Sequence, residues 1–284
     1  MAAQMTRISN LNEILFPVEE RPIFASVQDR TGERRLAVPD KKAIVNVTNL
    51  RVLGVVSRGY RLVTNQEALD LGFQCCRALF PQTTPGEWEV KVTDAPATGS
   101  HCHFDLLHNS NALDFTLVAA HERPEAFGPF VRVANSYNGL RALAFAIGFF
   151  RKVCANGLIL PETIIEFKFT HLNRDIGKAI HFEVAHDRLA KLRTGFGDHV
   201  AALRACRIRR EEVEPLVLRV LAIRLPKLRE PNSSEFADWS TLSTHIAELC
   251  GRYTLELGEN GYAVFNAITE FASHPRCRRE GGWN

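Results

Sequence analysis

Four groups of residues in this chain have types and spacings that could do chemistry. His101, Cys102 and His103 set two imidazoles on one face of an extended segment with Asp105 on the same side, donor types that a divalent metal accepts. No second cluster stands at ligand spacing, so the same residues read equally as the polar face of a strand. His181, Glu183, His186 and Asp187 are another group, but the order is not H-E-x-x-H and does not put both imidazoles on one helix face. A solvated helix start accounts for them. Cys154, beside Asn156 and Gly157, is a thiol on a turn, and a nucleophilic thiol needs a neighbour that lowers its pKa. No histidine stands near it in sequence, and a buried structural cysteine is the plainer reading. The fourth group is basic: Arg132, Arg141, Arg151 and Lys152, with Tyr60 and Tyr137 as aromatic companions. Guanidinium groups on strands bind phosphate and phenol rings stack on bases. The competing use of Arg132 is pairing with a buried acid such as Asp105 or Asp114. Walker A, G-x-G-x-x-G and G-x-S-x-G patterns are absent, which leaves common nucleotide-dependent and hydrolase chemistries without support and implies no cofactor.

The basic group has to be held by the stretch from Phe130 to Pro161. Asn138-Gly139 accepts positive φ at both positions, which predicts a two-residue turn and a hairpin. Pairing outward sets Asn135 opposite Ala142, Val133 opposite Ala144 and Val131 opposite Ala146, with Phe130, Arg132, Ala134 and Ser136 on the other face beside Arg141, Leu143, Phe145 and Ile147. Side-chain size, not polarity, alternates in the second strand, which implies that both faces are covered. An Ala-rich apolar run of this length also fits a buried helix; the turn and the aromatics favour strand.

The remaining elements follow from local pattern. Residues 1–40, with Pro17, Pro22 and Pro39, read as an irregular arm with one short helix near Asn12 to Phe16. Ala43 to Val63 predicts two strands, and Asn65 to Phe80 a helix opened by a Thr64/Glu67 capping box. Trp88 to Val92 alternates as a half-buried strand. His101 to Leu107 and Ala112 to Ala120 predict a second hairpin, and Ile165 to Phe169 a last strand. Helical spacing then takes over in Ala185–Arg193, Asp198–Cys206, Val213–Leu221, Ser240–Arg252 and Tyr262–Ser273. Strands first and helices afterwards give an α+β fold: a mainly antiparallel sheet built from hairpins with one early helix over 41–173, and a helical C-terminal part over 174–284 packing on it.

At 284 residues and 45% hydrophobic content the chain can bury a substantial core. No apolar run is long enough for a membrane span and the first residues lack a secretion-signal pattern, so a cytoplasmic protein without a membrane partner is expected. Seven cysteines without C-x-x-C spacing, Cys75 and Cys76 adjacent, point to reduced and buried thiols. A net charge of +3 is too small to imply nucleic acid alone, but the thirteen bases and eight acids between Arg174 and Glu230 make the later part the basic one.

Gly54 to Ala68, with its Ser57-Arg58-Gly59-Tyr60-Arg61 core, resembles the phage/plasmid-like family of uncharacterised bacterial, phage and plasmid proteins. Asn135-Ser136-Tyr137-Asn138-Gly139 is similar to that family's Asn-Ser-x-Asp-Gly turn, with Asn138 for Asp. Cys154-Ala155-Asn156-Gly157-Leu158 and the Tyr262 to His274 helix, with Phe271 for Tyr, extend the likeness over about Leu53 to His274. The resemblance implies an association with mobile elements and carries over no catalytic residues. The expectation is a non-enzymatic accessory protein that binds DNA or RNA, single-stranded DNA foremost, with Arg132, Arg141, Arg151 and Lys152 on the backbone and Tyr60 and Tyr137 stacking. The alternatives are a module that binds a host defence protein, and a metal-dependent enzyme built on His101 and His103.

Overall fold

A computed structural model of the chain describes residues 10–29, 32–117, 124–152, 156–158, 165–171, 182–220 and 234–273. The elements in order are α1 (Leu11–Ile14), β1 (Val18–Asp29), β2 (Gly32–Asn46), β3 (Val52–Ser57), α2 (Asn65–Leu79), β4 (Trp88–Asp94), β5 (His101–His108), β6 (Phe115–Leu117), β7 (Glu125–Ser136), β8 (Leu143–Arg151), β9 (Asn156–Leu158), β10 (Ile165–Phe169), α3 (His186–Ala205), α4 (Arg210–Val220), α5 (Ser234–Leu257) and α6 (Gly261–Ser273). The fold is α+β with antiparallel pairing throughout the described strands. Two compact units divide it: Met1–Asp114 with Gly128–Gly148 and Ile164–Ala190, and Phe115–Phe127 with Phe149–Thr163 and Lys191–Asn284. The second unit therefore takes segments from within the stretch that reads as one sheet domain in sequence.

In the first unit strands run in the order β10-β8-β7-β5-β4, with α2 on one face. The Thr64 hydroxyl accepts from Glu67 N at 3.0 Å and the Glu67 carboxylate accepts from Thr64 N at 2.7 Å, so α2 starts on the predicted capping box. The helix lies close because Gly72 has no Cβ: one built there would stand 2.9 Å from Val133 Cγ2 and 3.2 Å from Leu106 Cδ1. Phe104, Leu106, Val131 and Val133 form the buried face beneath it.

The β7–β8 hairpin exists, but its connection is wider than two residues and spans 137–142. Gly139 has φ of +72°, while Asn138 does not adopt positive φ; its carboxamide oxygen instead accepts from Leu140 N at 3.1 Å. Tertiary contacts displace the tight turn, since Tyr137 is fully buried and its hydroxyl accepts from Asn65 N at 2.8 Å. The face assignment shifts with it. Val131, Val133 and Asn135 are buried, as are Leu143, Phe145 and Ile147, whereas Arg132, Ala134, Ala144 and Ala146 are half-buried. The alanines thus share a face with Arg132, and opposite them on β10 stand exposed Lys168 and Glu166. That face is half-buried where the other is buried, so the two sides are not packed alike, against the expectation that both are covered.

Three further expectations change. Residues 18–46 are not an irregular arm but a long hairpin of β1 and β2; Pro22 lies on the edge strand and Pro39 falls where the register shifts between Pro22 and Phe24, the two places a sheet tolerates proline. β6 pairs with β7, not with β5, so no hairpin forms across His108 to Asn111. The helices read separately as Ala185–Arg193 and Asp198–Cys206 are the single α3, because Leu192, Phe196 and Val200 continue one buried stripe. Burying these side chains outweighs the roughly 1 kcal/mol that each of Gly195 and Gly197 costs a helix interior.

The second unit is built on rings. Phe115, Phe127, Phe149 and Phe196 meet at centroid distances of 4.8–5.9 Å, mostly edge to face. Beside them Arg151 Nε donates to Glu125 Oε1 at 2.8 Å and Arg204 Nη2 to Glu125 Oε2 at 2.7 Å.

Candidate nucleic-acid interface

The six residues expected to touch nucleic acid separate into those on the surface and those inside. Tyr137 is fully buried, and Tyr60 donates its hydroxyl to Ser136 O at 2.6 Å and stacks on His171 with ring centroids 4.6 Å apart. Burial pushes both phenols up, and neither ring has a face left for a base. Arg151 is 2% exposed and holds Glu125 and Glu256, so its guanidinium is committed to the interior of the second unit. Arg132 forms the fork expected of an acid partner: Nε and Nη2 donate to the two Asp105 oxygens at 2.7 Å each. Lys152 is half-buried and belongs to the second unit, whereas Arg132 and Arg141 belong to the first. Arg141 alone combines exposure, 44% of its side chain, with a defined anchor.

That anchor is the His101/His103 strand. Arg141 Nη1 stands 2.8 Å from His103 Nε2, and since a guanidinium only donates, Nε2 accepts and the ring proton sits on Nδ1. Asp94 Oδ2 lies 3.9 Å from Arg141 and 4.0 Å from His101 Nε2. His101, His103 and Asp105 do share one strand face, as expected, but arginines occupy it: Arg132 takes Asp105 and Arg141 takes the His103 lone pair. Among the described residues no group of three or more His, Cys, Asp or Glu is placed to hold a metal ion. The other candidates lie elsewhere. Cys154 and His181 fall outside the described residues. Burial pushes Cys102 up to about 12 and Cys250 up to about 11, and raises Cys75 and Cys76 as well, so none is a thiolate at neutral pH. Cys206 is exposed, which corrects the expectation that all the thiols are buried.

Burial, with Arg141 beside it, pushes His103 down to about 4. The unfolded chain takes up this proton near 6.5 and the folded chain refuses it until near 4, so stability contributed by neutral His103 is full above the upper value and falls as pH drops through that window. His103→Gln, which keeps an acceptor for Arg141 and cannot titrate, is therefore expected to lose less stability than the parent between these pH values. Urea midpoints measured across the window check it; parallel curves would show that His103 does not carry this dependence.

The structure brings forward residues that charge counting over long segments does not show. Gly54 has the Asn138 backbone against it, since a Cβ there would meet Asn138 Cα at 2.4 Å, and Gly139 sits against Val56 and Tyr60. Two loops, Ser57 to Arg61 and Asn138 to Arg141, thus lie side by side in the first unit. They carry exposed Arg58, Arg61 and Arg141. Arg58 N donates to Asp40 O at 2.9 Å and Arg61 N to His171 O at 3.2 Å, which fixes the first loop by its backbone and leaves the side chains out of the anchoring. Neither Arg58 nor Arg61 forms an ion pair among the described residues, in contrast to Arg132 and Arg151. A signal for them was present: Lys41 to Gln66 holds five bases and no acid. The tyrosines beside them are the scaffold of the two loops instead of their reading heads.

Among the described residues no helix is long and apolar enough to cross a membrane. No curated protein and no solved structure matches the chain. The family model described as Domain of unknown function (DUF932) matches residues 52–283, a span that begins at β3 and takes in both basic loops. The chain belongs to this family, DUF932.

Proposed function

We propose that the chain is a non-enzymatic accessory protein that binds nucleic acid, single-stranded DNA foremost, through the paired loops carrying Arg58, Arg61 and Arg141. Three exposed guanidinium groups on adjoining loops, two of them without a carboxylate partner among the described residues, carry this reading. Phosphate neutralisation by such groups supplies affinity without sequence readout. The resemblance of the sequence motifs to those of phage- and plasmid-borne proteins supports a role in DNA maintenance or recombination, in the cytoplasm.

Replacing Arg58, Arg61 and Arg141 together by Gln is expected to weaken binding to every oligonucleotide alike. The slope of log affinity against log salt becomes shallower by up to about 2, at about 0.7 per lost single-strand contact. Fluorescence anisotropy with single- and double-stranded DNA and RNA over a salt series measures both. A folded triple variant with parental affinity and slope, or a parent that binds none of the probes at low salt, overturns the assignment. One observation favours a second reading as a protein-binding module: Leu140 is 82% exposed in the same loop and Val55 57% exposed on β3. Leu140→Asp then abolishes partner binding, whereas it leaves a phosphate-based affinity little changed.

A further inference from the structure

The β1–β2 hairpin precedes the family-matched residues; its base is buried at Ala43 to Asn46, and its outer part is exposed on both faces. From Arg21 to Gln28 only Ile23 is even half-buried; Phe24 is 55% exposed and, across the ribbon on β2, Leu36 is 52% exposed. Beyond the register shift at Pro22 and Phe24 the two strands pair with each other alone, because β3 reaches only Lys41 to Val45 of β2. A two-stranded ribbon is marginal in water by itself, and β1 is an edge strand of 12 residues with one row of ladder groups unused by its sheet.

The order of residues along β1 says what fits that edge. Arg21 and Asp29 are equally far from Ala25 and opposite in sign, and Ile23 and Val27 are equally far and both β-branched. Antisymmetric charge and symmetric apolar character about one point are what an antiparallel strand needs to pair with a copy of itself. We propose that β1 is a homodimerisation strand, two copies joining edge to edge in antiparallel register about Ala25. Each Arg21 then stands opposite the other copy's Asp29 and each Ile23 opposite the other Val27; the two-fold makes every such contact occur twice. Pro22, which donates no ladder hydrogen bond, falls opposite Gln28, outside the central pairs. A duplex major groove also admits a two-stranded ribbon, but exposed Phe24, Val27 and Leu36 suit a protein edge better than a row of phosphates.

The full chain is expected to elute with twice the chain mass by light scattering. Arg21→Asp and Asp29→Arg should each halve that mass with unchanged far-ultraviolet dichroism, and the double reversal should restore it. Register is tested separately. Residues facing each other across the two-fold have Cα atoms about 4.5–5.5 Å apart, within disulfide range. Ala25→Cys is therefore expected to form a covalent dimer under mild oxidation, while Val27→Cys, which faces Ile23, remains no more cross-linked than the parent. A monomer at every concentration, a dimer indifferent to the charge reversals, or cross-linking at position 27 and not at 25 overturns the proposal. A mass shift that appears only with duplex DNA assigns the ribbon to the groove instead.

Discussion

Arg151→Met is expected to lower the unfolding free energy by about 3–5 kcal/mol, since removing one partner of a buried pair leaves the other charge uncompensated. Glu125 is 5% exposed, its carboxylate accepts from Arg151 and Arg204, and the substitution removes the first of these donors. Arg204 also stacks over the Tyr262 ring at 5.0 Å, so it is not free to move and take both oxygens. The contrast is Lys168→Met on β10, whose 2.9 Å pair with Glu166 is 65% and 39% exposed and is worth about 0–1 kcal/mol. Urea unfolding of both variants checks the difference. If Arg151→Met costs no more than Lys168→Met, the buried network is not what holds this part of the second unit together.

Gly54→Ala is expected to cost about 1–3 kcal/mol or more, through overpacking against backbone. The added methyl would stand 2.4 Å from Asn138 Cα and 2.7 Å from Tyr137 O, and neither can rotate away as a side chain can. Tyr137 is anchored by its hydroxyl to Asn65 N and Tyr60 to Ser136 O, so the loop has no slack. Gly59→Ala, in the loop that follows β3 and with nothing within 4 Å of its Cβ position, should change stability by only about 0.5 kcal/mol. Thermal denaturation of the pair separates a steric effect from a general loss of glycine. Because the displaced loop carries Arg141, Gly54→Ala should also weaken nucleic-acid binding more than Gly59→Ala. Equal melting curves would mean that the two loops are not packed as described.

Local chemistry was legible in the sequence wherever a short stretch settles its own conformation. The Thr64/Glu67 capping box, the alternation of Trp88 to Val92 and of Ile165 to Phe169, and the α6 stripe all stand where their spacing puts them. Such features depend on neighbours in the chain, and the α+β class follows from their order. Tertiary contacts decided the rest. Asn138-Gly139 has the composition of a two-residue turn, yet burial of Tyr137 and the approach of Gly54 widen it, and the faces of β7 and β8 change with it. The prolines of β1 and β2 read as breaks until an edge and a register shift receive them. The same holds for the site: four arginines are alike in sequence, but only partners from distant segments, Asp105 for Arg132, Glu125 for Arg151 and Arg204, His103 for Arg141, determine which guanidinium faces water. Charge count is a property of the chain, whereas accessibility of a charge is set by what the fold brings against it.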